Sequence, residues 1–166
     1  MVSLVTPIEA EWACSAIRLT RLVRTLAPGH ADLDALLALM LLQHSRRDAR
    51  DEDGRLVLLP DQDRTRWHED EIAEALRLLT PHVDGSPTPY LLQALIAAEH
   101  AVADTAAQTN WPRIAGLYRE LEELTGSPVV RLNRAVAVAE ADGPLAGLAL
   151  LEGLDLPGHR LPAARA

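Results

Sequence analysis

Leu33-Asp34-Ala35-Leu36-Leu37-Ala38-Leu39-Met40-Leu41-Leu42 is the stretch on which the fold turns. Leu33, Leu36, Leu37, Met40 and Leu41 recur at the spacing i, i+3, i+4, i+7, i+8, which lines one face of an α-helix with large apolar side chains. The run gives out in the polar residues Gln43–Arg50. Upstream, Thr6-Pro7-Ile8-Glu9 is a capping box with proline at the first helical position, so another helix is expected to start there. Its apolar stripe reads Trp12, Ala16, Leu19, Val23 and Leu26, and Pro28-Gly29 ends it.

Downstream the helical signal keeps returning. Asp51-Glu52-Asp53-Gly54 reads as a turn, and Arg55–Leu59, stopped by Pro60, is a brief strand or extended strap. Thr65 is the expected N-cap of a third helix, with Glu69, Asp70 and Glu71 at the positive end of its dipole. Ile72, Ala75, Leu76, Leu79 and Val83 form its inward face, and Gly85-Ser86-Pro87 breaks it. Thr88-Pro89 opens a fourth helix; Tyr90–Ala98 is apolar on nearly every side except Gln93, as suits the middle of a bundle. After the polar loop Ala103–Asn110, a fifth helix follows Pro112 with Ile114, Leu117, Tyr118, Leu121 and Leu124 inward and Gly126 closing it. Ser127-Pro128 opens a sixth, with Val129, Leu132, Val136 and Ala139 as its core face. Asp142-Gly143-Pro144 turns into a seventh that ends near Gly153.

The expected fold class is therefore all-α, about seven helices in hairpins, with at most one short β-like segment around Leu56–Leu59. The short turns joining the last three helices suggest tetratricopeptide-type hairpins. Residues 1–108 form one helical half and 109–166 the hairpins, packed together as one unit.

Composition limits what such a chain can do. Its 166 residues carry a net charge of −8, which argues against direct nucleic-acid binding, a process driven by phosphate neutralisation. All 16 basic residues are arginine. Cys14 is the single cysteine, so no internal disulfide forms. No apolar run is long enough for a membrane span and the first ten residues do not read as a signal peptide, so a cytoplasmic location is expected.

Signs of chemistry are few. The six histidines, His30, His44, His68, His82, His100 and His159, are scattered and make no metal-ligand motif, so no metal or cofactor is expected. There is no Gly-x-Ser-x-Gly elbow and no phosphate loop. Cys14 reads as a small buried hydrophobe, and Glu99-His100 as sequence neighbours on different helix faces. No enzymatic activity is expected.

One segment stands out: Asp61-Gln62-Asp63-Arg64-Thr65-Arg66-Trp67. A local role would be helix entry, with Asp63 or Thr65 capping and Trp67 anchoring. A functional role would be a polar platform for another domain. Here the sequence resembles the C-terminal extension of the YCII-associated group of extracytoplasmic-function RNA polymerase sigma factors. The matching stretches are Ala16–Leu19, Leu36–Leu42, Asp61–Arg64 with Trp67, Ile72-Ala73-Glu74, Pro89–Ala94, Asp104, Trp111–Ile114 and Ser127–Ala137. The family usually has glycine after Ile-Ala-Glu, where this chain has Ala75. Two sigma regions precede the extension in that family and neither is in this sequence, so the chain alone is not expected to read a promoter.

The resemblance implies a regulatory, tetratricopeptide-like interaction domain that modulates transcription initiation by contacting sigma regions or core RNA polymerase. Asp61, Gln62, Asp63, Arg64 and Trp67 are the expected interaction residues, with Asn133 and Arg134 second. A small-molecule-sensing domain acting on the same sigma factor is the alternative.

Overall fold

The computed structural model describes residues 7–52, 54–152 and 154; for residues 7–11 only the helical backbone is described. Seven α-helices run in chain order among them: α1 (Pro7–Leu26), α2 (Ala31–His44), α3 (Glu69–Leu79), α4 (Pro89–Val102), α5 (Trp111–Thr125), α6 (Pro128–Asp142) and α7 (Pro144–Leu151). The fold is all-α. The capping threonine expected before α1 and the tail beyond Leu154 lie outside the described residues, as do Asp53 and His159.

The β-like segment is smaller than the strap read from the sequence, and differently built. Asp51–Glu52 (β1) and Arg55–Leu56 (β2) pair antiparallel as a two-residue hairpin, so the acidic stretch read as pure turn supplies a strand. Gly54 takes the left-handed φ of 78° that this tight reversal needs, which glycine adopts without steric cost. The chain then passes through 3₁₀ turns at Leu59–Asp61 and Arg64–Arg66 before α3.

The molecule divides between Asn110 and Trp111 into two compact units. In the first, α2 packs against α1, α3 and α4. The sequence put α4 at the centre and gave α2 one buried face. Instead Ala35, Leu37, Ala38, Leu41 and Leu42 are all buried, so α2 is enclosed on several sides and forms the spine of the unit. Each fully buried leucine contributes about 1.5–3 kcal/mol relative to exposure, so Leu37, Leu41 and Leu42 are substantial contributors to this unit's stability. Thr88 caps α4 as expected, its Oγ1 accepting from the Leu91 N–H at 3.3 Å. Thr65 does not cap α3: it lies in the 3₁₀ turn, and His68 is the residue before the helix. Val83, expected inward, is exposed beyond the end of α3.

The largest departure is α1. Trp12, Leu19, Val23 and Leu26, the expected core stripe, are exposed at 72%, 61%, 39% and 79%, together with Leu22. Ile17 is buried instead, on a face with half-buried Ala13, Ala16, Thr20, Arg24 and Ala27. One residue of shift rotates a helical face by about 100°, so the two stripes are neighbouring faces of one helix. Small residues win the packed side because they let α1 approach α2. Polar ties hold the join: Arg24 donates to Asp34, and Arg21 is bidentate to Glu74 at 3.2 and 2.6 Å.

In the second unit α5 packs on α6 and α6 on α7. Ile114, Leu117 and Leu121 are buried as expected, but Leu124, Val129 and Val136 are exposed, and Ala135 and Ala137 are the buried residues of α6. Gly147 supplies the reason. A Cβ there would stand 2.6 Å from the Ala135 carbonyl oxygen and 2.7 Å from Ala139 Cβ, so α6 and α7 meet through small residues and the larger ones turn away.

Candidate functional site

The Asp-Gln-Asp-Arg segment is a belt whose side chains alternate between inside and outside. Asp61 closes the first 3₁₀ turn with its side chain exposed. Gln62 is 9% exposed, and its Nε2 donates to the Val57 carbonyl at 3.1 Å, pinning the strap between β2 and the turn. Asp63 is exposed and caps the second turn, accepting from Thr65 N–H at 3.0 Å and Thr65 Oγ1 at 2.7 Å. Those hydrogen bonds hold its carboxyl below the ordinary range.

Arg64 points inward. Its Nη1 donates to the carbonyls of His100 at 2.5 Å and Ala103 at 2.9 Å. Both lie at the C-terminal end of α4, where unpaired carbonyls and the negative pole of the helix attract a cation. The same guanidinium lies 4.5 Å from the centre of the Trp67 ring, which is 6% exposed. Gln62, Arg64 and Trp67 are built into the body, Asp63 takes the helix-entry role by capping the 3₁₀ turn before α3, and Asp61 and Asp63 face outward.

Around Trp67 the charges are one-sided. Arg46 lies 5.9 Å from the ring centre. Burial, together with Arg50 and Arg64, pulls the Arg46 pKa down to about 10. Burial, with Arg46 and Arg64, takes His100 down to about 4, so this imidazole is neutral at neutral pH. Arg46 and Arg50 are missing from the residues singled out in the sequence. The signal was there in Ser45-Arg46-Arg47-Asp48-Ala49-Arg50, where a spacing of four puts two arginines on one side of a helical turn.

A second polar group joins α1, α2 and α3. His44 Nδ1 lies 2.9 and 3.0 Å from the two Glu71 carboxylate oxygens, and Arg47 Nη1 donates to Glu71 at 2.9 Å. His68 Nε2 meets Asp48 at 2.7 Å. Cys14, expected to be buried, is exposed, with Sγ 3.5 Å from His44 Nε2. Arg47 Nη1 also lies 2.9 Å from His44 Nδ1; in the tautomer with Nδ1 protonated, Nδ1–H donates to Glu71 and Nε2 accepts from the thiol. A groove of about 570 Å³, lined by Cys14, Arg18, Arg21, His44 and Glu71, runs beside them. Cys14 lies inside α1, where backbone N–H groups are bonded within the helix. Among the described residues no cluster of three or more His, Cys, Asp or Glu side chains could hold a metal ion.

Asn133 and Arg134 belong to the second unit. Asn133 is exposed on α6. Arg134 Nη1 donates to Glu122 at 3.1 Å, and Arg131 Nε donates to the same carboxylate at 2.6 Å. Burial raises the Glu122 pKa, but these two arginines outweigh it and hold the group below its usual value. Arg134 is therefore a tie between α5 and α6.

Residues 3–82 match a model described as a family of unknown function (DUF6596), a stretch that runs through α1, α2, the hairpin, the belt and α3. An uncharacterized protein of Rhizobium meliloti (strain 1021) is 48% identical over 156 residues, 93% of this chain. The chain spans 36% of that relative, about a third of its length. No solved structure matches the chain.

Proposed function

We propose that this chain is the interaction domain of a bacterial extracytoplasmic-function sigma factor, modulating transcription initiation by contacting sigma regions or core RNA polymerase. The sigma-factor assignment rests on the resemblance carried by Asp61–Arg64 with Trp67 and by Ser127–Ala137. The observation that carries the interaction reading is the exposed face of α1. Trp12, Leu19, Leu22, Val23 and Leu26 are large apolar side chains, and a contiguous face of this kind marks a contact surface. A match to only a third of a longer relative suits a domain that works attached to others.

In this reading the second unit is a tetratricopeptide-like pair of hairpins, its α6–α7 contact closed at Gly147. The domain carries no catalysis and works in the cytoplasm, with the α1 face and the Asp61–Trp67 belt as its contact elements. The test is co-purification of the domain with separately expressed sigma regions and with core polymerase, using Leu19→Glu and Leu22→Glu as variants. Binding to either partner that is lost in variants with unchanged melting supports the reading. Absence of binding to both partners overturns it.

A further inference from the structure

We infer that Arg46 and Arg64 beside Trp67, with Arg50 sharing the Gln43 acceptor of Arg46, form a clamp for carboxylates of an acidic protein segment, an inference that rests on the domain being an interaction module. Among the described residues, Arg21, Arg24, Arg47, Arg131 and Arg134 each meet a carboxylate. Arg46, Arg50 and Arg64 meet none, in a chain with 24 acidic residues. Arg46 donates to Gln43 Oε1, Arg50 donates to the Gln43 carbonyl and Oε1 at 2.8 Å each, and Arg64 reaches only backbone carbonyls. Arg46 is thus held where burial and the neighbouring Arg50 and Arg64 guanidinium groups disfavour its charge, and all three arginines have neutral acceptors in place of counter-charges.

The neighbouring donors point the same way. Arg46 Nε and the indole Nε1 of Trp67 are buried without a hydrogen-bond partner, and Trp67 is 6% exposed. A buried donor left without an acceptor is costly, so two of them beside arginines that lack counter-charges amount to a site whose acceptor comes from elsewhere. The Arg64 Cζ lies 4.5 Å from the Trp67 ring centre, and the guanidinium fork matches the planar geometry of a carboxylate. Arg46, Arg50 and Arg64 are each half-buried, which leaves one side of the group reachable. Charge selects the partner. The local excess of guanidinium groups attracts an anion, and the planar carboxylate of an acidic side chain matches the guanidinium fork.

The probe is N-acetylated, C-amidated tetraglutamate, titrated at low salt into the labelled chain while the Trp67 indole resonance is followed by NMR, with tetralysine and inorganic phosphate as separate arms. The expected result is a saturable, salt-sensitive shift with tetraglutamate and none with tetralysine. Arg46→Gln and Arg50→Gln weaken it about tenfold or more, as loss of a charge partner does. Both variants melt at or above the wild-type temperature, because each removes one of the repelling charges. Arg50→Gln serves alone if Arg46→Gln misfolds. No shift with tetraglutamate, or an equal shift in both variants, overturns the clamp. A response to phosphate alone overturns the acidic partner. Binding of sigma regions that ignores both substitutions sinks the clamp and leaves the interaction reading standing; tetraglutamate binding without sigma-region binding does the reverse.

Discussion

Arg64→Ala separates a belt that clamps the fold from one that only decorates it. The substitution removes two charge-assisted hydrogen bonds, to His100 O and Ala103 O, and the stack on Trp67. Hydrogen bonds to charged groups contribute about 1.5–3 kcal/mol each when buried, and a cation–π stack about 0.5–2 kcal/mol. Arg64 is half-buried, so the low end applies to each contribution and the expected total is about 2–4 kcal/mol. For a chain of this size 1 kcal/mol moves the melting temperature by about 2–4 °C, so the first unit should melt roughly 4–16 °C lower. Arg64→Lys keeps the charge and one donor but loses the guanidinium–indole contact, and should recover about half of the loss. Asp61→Ala, on an exposed side chain, should stay within about 0.5 kcal/mol. Urea unfolding of the three variants, followed by near-ultraviolet circular dichroism, measures the series. Arg64→Ala indistinguishable from wild type would refute the clamp to α4.

Other expectations follow from single contacts. Gly147→Ala forces a Cβ into the Ala135 carbonyl and should cost the second unit about 1–3 kcal/mol in thermal unfolding. Burial alone would raise the Asp34 pKa, but hydrogen bonds from His82 and Arg24 outweigh it and leave the group below its ordinary value of 3.8. A depressed carboxylate stabilises above its unfolded pKa and loses that contribution as pH falls through the folded one. Stability should therefore drop below about pH 4, and Asp34→Asn should flatten that drop in an acid titration. His100, with a folded pKa of about 4 against 6.5 unfolded, also gives stability that is lost as pH falls through that window. Its imidazole resonances should show no titration above about pH 5, and Arg46→Gln should raise the midpoint.

Helix existence was legible because caps and breakers are local. Thr88-Pro89, Gly126 and Asp142-Gly143-Pro144 mark real boundaries, and their chemistry acts within a few residues. Helix faces were less legible. On α1 the large members of the expected stripe lie outward and on α6 Val129 and Val136 do, while the small members Ala16 and Ala139 lie at least half-buried and Ala139 meets Gly147. A size-weighted pattern cannot tell a core stripe from a docking stripe on the same helix. The belt was legible as a unit, but the division of labour within it was not. Arg64 turns inward because α4 ends beside it, and that proximity joins residues 36 and 39 positions apart. The Arg46–Arg50 pair went unremarked for the same reason: only the fold brings Arg64 and Trp67 to it.

The exposed face of α1 tests the central claim most directly. Leu19→Glu with Leu22→Glu places two charges on side chains that are 61% and 59% exposed, where a surface change shifts stability by only about 0.5 kcal/mol. Binding of this double variant to sigma regions and to core polymerase should be measured beside its melting temperature. The account predicts that binding is abolished while melting is unchanged. Undiminished binding, or a loss that merely follows unfolding, would contradict it.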